Sequence, residues 1–148
     1  MHILKFLVTL ALVSSQAFAI TCKPKLGTGT KTYDVSAATA KSEAKAAGLR
    51  GNNVSGFPHR FFNSEGLKFG VAHCDRKGSI LLEYPIYESK NKAKWDKNVK
   101  KGSQKGGETP IRVVFANASG ASKYCGVMVH KEVDKQNNAL NKNFQTCS

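Results

Sequence analysis

The sequence has 148 residues, a length that fits one domain and excludes a multidomain assembly. Its 23 Lys and Arg residues against 10 Asp and Glu residues give a net charge of +13, which favours polyanionic partners such as nucleic acid or an acidic membrane surface. A soluble basic protein without such a partner has the same balance, so the charge alone does not choose between these classes.

Residues 1–19 have the pattern of a secretory signal peptide. Lys5 supplies a positive start, Phe6–Val13 is almost wholly apolar, and Ala17–Ala19 matches a small-x-small cleavage site. No other apolar run is long enough to span a bilayer. We therefore expect a secreted single domain that covers residues 20–148 and carries a charge of about +12 once Lys5 is removed.

All four cysteines lie in the expected mature domain. An even number of cysteines in a secreted chain predicts two disulfides, for which Cys22, Cys74, Cys125 and Cys147 allow three pairings. A bridge between Cys22 and Cys147 would nearly circularise the domain and stabilise it by about 4–5 kcal/mol in the chain-entropy model. The sequence has neither a Cys-x-x-Cys motif nor paired histidines, so we predict no metal ion and no cofactor.

The first part of the mature domain predicts a hairpin followed by one helix. Strands over Thr21–Leu26 and Lys31–Val35 flank a glycine-rich turn. Ser36 is a suitable helix N-cap, Gly48 is a suitable C-terminal stop, and the residues between them are rich in alanine. The apolar face of this helix should pack on a sheet, and it consists of Ala37, Ala40, Ala44 and Ala47.

The remainder of the domain predicts strands around one long basic loop. The expected strands are Leu67–Ala72, Ser79–Tyr87, Ile111–Ala116 and Tyr124–His130. The loop, residues 89–110, contains seven lysines and Trp95. A loop of this length in a compact domain is usually functional or disordered.

Three of these strands place one ionisable side chain on the face opposite their apolar side chains. Successive side chains of a strand point to alternate faces, and the residues that interrupt the apolar pattern are Glu83, Arg112 and His130. A carboxylate within an apolar strand is costly unless it is paired or used. We therefore expect a sheet with a core face and a chemically active face.

One set of four residues suits metal-free cleavage of RNA: His59, Glu83, Arg112 and His130. Glu83 would remove the proton of the ribose 2′-hydroxyl, and His130 would protonate the leaving 5′ oxygen. Arg112 and a protonated His59 would hold the phosphate, giving a 2′,3′-cyclic phosphate and a free 5′-hydroxyl. The alternative is a structural histidine beside a simple ion pair of Glu83 with Arg112.

Four segments resemble the signature blocks of the fungal guanyl-specific ribonucleases, in the same order. They are Phe57–Arg60, Leu81–Ile86, Pro110–Phe115 and Cys125–His130. The segment Lys68–Arg76, the lysine-rich loop and cysteines near both ends are similar to the ribotoxin branch, the alpha-sarcin family. The resemblance covers the mature domain and implies the microbial guanyl ribonuclease fold, an α+β fold in which a central antiparallel β-sheet packs on one α-helix.

The resemblance also implies a disulfide pattern and an activity. The bridges would be Cys22–Cys147 and Cys74–Cys125. The activity would be a single cut after a guanosine in the sarcin–ricin loop of the large ribosomal RNA, which stops protein synthesis. The family roles of base, acid and electrostatic helpers fall on the four candidate residues in the way that their chemistry suggests.

Further residues align with substrate-contacting positions of this family. Phe57 stands where many relatives have a tyrosine, so a hydroxyl contact to the phosphate is absent or supplied otherwise. The segment Phe61–Gly66 aligns with a guanine-binding segment, in which Glu65 would accept the N–H donors of guanine and Phe61 would neighbour the base. A solvated Glu65 in a glycine-terminated loop explains the segment equally well. Phe144 matches an apolar position near the ribotoxin active site, and ordinary packing explains it as well.

The expected partners are the large-subunit ribosomal RNA and the ribosome. Lys100, Lys101 and Lys105 are candidates for phosphate contacts, although most lysine runs are simply solvated. The family implies acidic phospholipid membranes as a second partner, and we expect a secreted monomer that acts in the cytosol of target cells. Two alternatives remain open: a non-specific basic guanyl ribonuclease, and a non-catalytic RNA- or membrane-binding effector on the same scaffold.

Overall fold

The computed structural model describes residues 18–148, so the predicted signal peptide lies almost entirely outside the described residues. The strands are β1 Ala19–Cys22, β2 Lys25–Leu26, β3 Gly29–Thr30, β4 Tyr33–Ser36, β5 His59–Phe61, β6 Leu81–Pro85, β7 Ile111–Ala118, β8 Ala121–His130 and β9 Phe144–Thr146. The helices are α1 Ala37–Ala47 and α2 Ala72–Asp75, with a 3₁₀ turn at Lys101–Ser103. Within residues 18–148, no helix is both long enough and apolar enough to cross a membrane.

Two nested antiparallel pairs form the N-terminal hairpin. The outer pair is β1 with β4, and the inner pair is β2 with β3. Gly27 occupies the turn with a φ of +58°, a left-handed conformation that favours glycine. Thr21 and Ser148 exchange two backbone hydrogen bonds of 2.8 and 3.1 Å. The predicted hairpin is confirmed, and it holds the C-terminus of the chain.

Helix α1 follows the hairpin directly and lies across the sheet. The Ser36 hydroxyl accepts the Thr39 N–H at 3.2 Å, and the helix ends before Gly48, so both predicted ends are confirmed. The buried positions of its alanine face are Ala40, Ala44 and Ala47, while Ala37 is half-buried. These small side chains let the helix approach β7 and β8 closely.

Five strands form one antiparallel sheet in the order β5-β6-β7-β8-β9. The face towards α1 carries the main core, to which the sheet contributes Leu82, Tyr84, Ile86, Ile111, Val113, Phe115, Val127 and Val129. The opposite face carries a smaller apolar cluster that includes Phe61, Leu81, Val114, Ala116, Met128 and Phe144. The predicted α+β architecture is therefore confirmed, and the sheet has apolar packing on both faces.

The strand predicted over residues 67–72 is wrong. The N–H groups of Phe69 and Gly70 donate to the Asp75 carboxylate at 2.9 and 2.8 Å instead of joining a strand. Gly70 has a φ of +74°, and Ala72 already begins α2. The apolar residues suggested a strand, but a nearby carboxylate that binds backbone donors stabilises a turn in its place.

The long basic loop, residues 89–110, is held by buried side chains. The Tyr84 hydroxyl donates to the Trp95 carbonyl at 3.0 Å. The Gln104 amide accepts the Asp96 N–H at 2.8 Å and donates to the Asp96 carbonyl at 2.7 Å. Lys94 pairs with the buried Glu43 of α1 at 3.5 Å. The loop therefore presents its exposed lysines from a defined backbone.

Both disulfides implied by the family resemblance are present. Cys22–Cys147 joins β1 to the C-terminal segment across 125 residues of sequence. Cys74–Cys125 joins α2 to β8 across 51 residues. The first bridge links the chain ends, and the second attaches the segment before β6 to the sheet face opposite α1.

Candidate active site

Strand register brings the four candidate residues to one face of the sheet. Paired residues of antiparallel strands share a face, as do residues two apart along one strand. His59 lies opposite Glu83, and Arg112 lies opposite the residue two positions after Glu83. His130 lies two positions after the partner of Arg112. All four therefore lie on the face opposite α1, where the alternation pattern places three of them.

Glu83 and His59 form a hydrogen-bonded pair at the centre of this face. His59 Nε2 contacts Glu83 Oε1 across the pairing of β5 with β6. The side chain of Glu83 is 9% exposed, whereas that of His59 is 49% exposed. The second carboxylate oxygen, Oε2, is buried and has no protein partner. The pair therefore combines a sheltered proton acceptor with a histidine that solvent or substrate can reach.

Arg112 is fixed in the floor of the site. Its Nη1 donates to the carbonyls of Thr109 and Ile111 at 2.7 and 2.9 Å. Its guanidinium carbon lies 5.2 Å from the centre of the Phe57 ring. Burial lowers the pKa of Arg112, while the Glu83 carboxylate acts in the opposite direction. A guanidinium remains charged in proteins, so the site contains a buried cation in a fixed orientation.

His130 occupies the opposite side of the site, against an aromatic ring. The His130 and Phe144 ring centres are 4.0 Å apart. Burial is the largest cause that lowers the pKa of His130, from 6.5 to about 4, and the positive charges of Arg112 and Lys101 act in the same direction. The backbone of Asn141 acts in the opposite direction on this pKa. The imidazole is therefore neutral near pH 7 in the free protein.

A cleft of about 420 Å³ opens beside Arg112 and His130. Lys101, Glu108 and the segment 138–142 also line it. Its size is in the range of sites that bind small molecules or parts of polymers. A phosphate group in this cleft would meet the buried Arg112, the exposed Lys101 and the imidazole of His130.

The structure places most of the predicted substrate-contacting residues at the site and two of the lysines outside the cleft. Phe57 packs 4.4 Å from the His59 ring, and Phe61 packs edge-on against Phe144 at 5.9 Å, so both aromatic side chains wall the site. Glu65 Oε1 accepts the Phe144 N–H at 3.1 Å, so one of its oxygens already has a backbone partner. Lys101 lines the cleft. The exposed Lys100 and Lys105 lie outside its lining.

Three features of the site have no clear signal in the sequence. Thr109 supports Arg112 through its carbonyl and donates its hydroxyl to the Ile86 carbonyl at 2.6 Å. Trp95 backs the Phe57 ring edge-on at 5.6 Å. The segment 138–142 closes the cleft from a loop far along the chain. Of the three, only Trp95 has a feature from which a buried role could have been predicted, because it is the single tryptophan of the chain and lies in a lysine-rich loop.

The chain is similar to ribonucleases in both sequence and structure. A family model described as ribonuclease matches residues 20–148, whereas no curated protein sequence matches the chain. The solution structure of hirsutellin A from Hirsutella thompsonii is 48% identical with a TM-score of 0.78, covering 88% of this chain and 98% of that one. Restrictocin, a highly specific Aspergillus ribotoxin, is 23% identical with a TM-score of 0.67, covering 88% and 99%, and shows the fold alone. The chain therefore belongs to the ribonuclease family and has the fungal ribotoxin-type fold.

Proposed function

We propose that this ribotoxin-like endoribonuclease cleaves one phosphodiester bond after a guanosine in the sarcin–ricin loop of the large ribosomal RNA. One observation carries the proposal: a buried carboxylate, two histidines and a buried guanidinium converge on one face of the sheet. Such a set provides an acid, a base and a phosphate-binding cation without a metal ion. The ribonuclease family and the similarity to hirsutellin A support RNA as the substrate.

The proposed reaction transfers the phosphate within the RNA. Glu83 removes the proton from the 2′-hydroxyl, and the 2′ oxygen attacks the adjacent phosphorus while the bond to the 5′ oxygen breaks. His130 gives its proton to that 5′ oxygen, so the products are a 2′,3′-cyclic phosphate and a 5′-hydroxyl. Arg112 and His59 stabilise the charge that develops on the phosphate oxygens. The negative phosphate also raises the proton affinity of His130 when RNA is bound.

Target choice is proposed to lie outside strand β6, in the segment Phe61–Gly66 and in the long basic loop. Glu65 Oε1 accepts the Phe144 N–H, and Glu65 Oε2 accepts the Ser64 hydroxyl at the long distance of 3.4 Å. Oε2 would accept the N–H donors of a guanine base beside Phe61 in place of that hydroxyl. The exposed lysines of residues 89–110 would contact ribosomal phosphates from their anchored backbone. Restrictocin is described as a highly specific ribotoxin, and we extend that property to this chain.

We also propose how the protein reaches its substrate. The residues before Ile20 would direct secretion, and the monomeric domain would act in the cytosol of a target cell. The charge of about +12 that remains once Lys5 is removed suits contact with acidic phospholipid membranes on the way. Vesicles with and without an anionic lipid test this step, because electrostatic binding should require the anionic lipid and weaken as salt is added.

Incubation with intact ribosomes tests the proposed activity. The expected result is one discrete fragment released from the large ribosomal RNA, with a cyclic phosphate at the new 3′ end of the upstream product. Multiple fragments, or degradation of naked RNA alone, would favour the non-specific ribonuclease. Full toxicity of both Glu83→Gln and His130→Gln would favour the non-catalytic effector, because those changes remove the proposed base and acid.

A further inference from the structure

An exposed aromatic ring stacks on an arginine at the end of β5, the strand that carries His59. Phe62 follows β5, and its side chain is 82% exposed. The guanidinium carbon of Arg60 lies 5.5 Å from the centre of the Phe62 ring. One face of the ring therefore has a cation against it, while most of the ring surface remains open to solvent.

The fold holds this pair at the edge of the sheet. β5 is an edge strand, and Arg60 projects to the face opposite the one that carries His59. The residue after Phe62 is clamped, because the Asn63 side chain accepts the Leu67 N–H at 2.7 Å and donates to the Leu67 carbonyl at 2.8 Å. The ring is thus presented from a fixed backbone, next to the strand that supplies the catalytic histidine.

A shallow cleft of about 180 Å³ lies beside the pair and has a basic rim. Arg60 and Arg76 both line it and are both exposed. Asp75 also lines it, but its carboxylate is occupied by the backbone N–H groups of Phe69 and Gly70. The cleft is smaller than sites that enclose a whole small molecule, so it suits one group of a larger polymer better.

We propose that Arg60 and Phe62 form a stacking platform for an unpaired base of the RNA substrate, outside the nucleotides at the cleaved bond. Unstacked bases bind to exposed aromatic rings and guanidinium planes, and neighbouring cations bind the phosphates that accompany them. RNA held by His59 on one face could pass over the edge strand β5 to reach Phe62. This inference rests on the proposed function, because it names a further contact of the same substrate.

The surroundings of Phe62 favour RNA over a lipid surface. Insertion into a membrane interface needs a continuous apolar face. The cleft beside this ring also contains apolar residues, but these are buried: Phe61, Cys74 and Leu81. Its exposed and half-buried residues include Arg60, Asn63, Asp75 and Arg76. A lone ring among such groups gives little lipid-inserting area, whereas one ring is sufficient to stack one base.

The test compares two substrates across matched variants at Phe62. The substrates are a guanosine-containing dinucleoside phosphate and a short RNA hairpin that contains the sarcin–ricin loop. The measured quantity is the ratio of kcat/KM for the hairpin to kcat/KM for the dinucleoside. Phe62→Ala should lower this ratio roughly 5- to 100-fold, the range expected for loss of one stacked base. Phe62→Trp should keep most of the ratio, since it retains an aromatic face.

Val54→Ala is the matched control, because Val54 is 61% exposed and has no aromatic ring on which a base could stack. Its ratio should equal that of the wild type. An unchanged ratio for Phe62→Ala, or an equal loss for Phe62→Trp, overturns the platform. An unchanged ratio with weaker binding of Phe62→Ala to anionic vesicles overturns it in favour of a lipid contact. A wild-type protein that cleaves neither RNA overturns the proposed function itself, which separates the two failures.

Discussion

The depressed pKa of His130 predicts a steep loss of activity between pH 5 and pH 7. The proposed acid must be protonated, and its pKa in the free protein is about 4, against an ordinary 6.5. At a pKa of about 4, the protonated fraction falls roughly 90-fold between these two pH values. At the ordinary pKa it would fall only about fourfold. Because kcat/KM reports ionisations of the free enzyme, its pH profile distinguishes these two cases.

Two measurements check this prediction. The first is kcat/KM for an RNA oligonucleotide between pH 5 and pH 7. Over the same range kcat should fall less steeply than kcat/KM, because the bound phosphate favours protonated His130. The second is an NMR titration of the His130 imidazole, assigned by its absence in His130→Gln. Arg112→Gln should raise the titration midpoint only in part, since burial is the larger cause of the shift. A midpoint at or above 6.5 in the wild type refutes the reasoning.

Three further predictions follow from the same geometry. Glu83→Gln should keep the fold but slow single-turnover cleavage of RNA about 10²- to 10⁴-fold. The control is Glu132→Gln, which should cleave like the wild type because the Glu132 carboxylate pairs with the surface residue Lys25, away from the proposed base. Replacing Cys22 and Cys147 by alanine should lower the free energy of unfolding in urea by about 4–5 kcal/mol, and a loss below about 2 kcal/mol would contradict the chain-entropy account. The unfolded chain binds more protons at His130 between about pH 4 and 6.5, so acidification over that window should destabilise the wild type more than His130→Gln, as measured by Tm. Equal pH dependence of Tm in the two proteins would argue against the depressed pKa.

The chemical face of the sheet was predictable because alternation is a local property of a strand. Glu83, Arg112 and His130 each interrupt an apolar strand, and antiparallel pairing of those strands keeps their faces in common. The helix was predictable for a similar reason, since Ser36 and Gly48 mark its ends in the sequence itself. These features depend on neighbours within a few positions along the chain.

Other features depend on contacts that the sequence pattern does not contain. β5 has three residues, two of them exposed, so His59 gives no apolar alternation even though it pairs directly with Glu83. The segment 67–72 was predicted as a strand from its apolar residues. The Asp75 carboxylate binds backbone N–H groups of this segment only once the turn has formed, so the sequence pattern does not show this contact. The 138–142 side of the cleft was equally hidden, since it meets His130 only through tertiary packing. His59 was a candidate because of its chemistry, as a histidine that could hold a phosphate, and not because of periodicity.

Phe57 stands where the family resemblance leads us to expect a tyrosine, while the proposed base and acid, Glu83 and His130, are both present. The Phe57 ring packs against His59, Trp95 and Arg112, so it positions both the exposed histidine and the buried cation. A ring without a hydroxyl gives no hydrogen bond to a phosphate. It does lower the local polarity around Arg112, which strengthens the electrostatic attraction between this guanidinium and a phosphate. Arg112 also has an unsatisfied hydrogen-bond donor, because its Nε is buried without a protein partner. A phosphate oxygen that accepts the Nε–H of Arg112 would satisfy this donor. Arg112 would then hold the phosphate in place of the hydroxyl that Phe57 lacks.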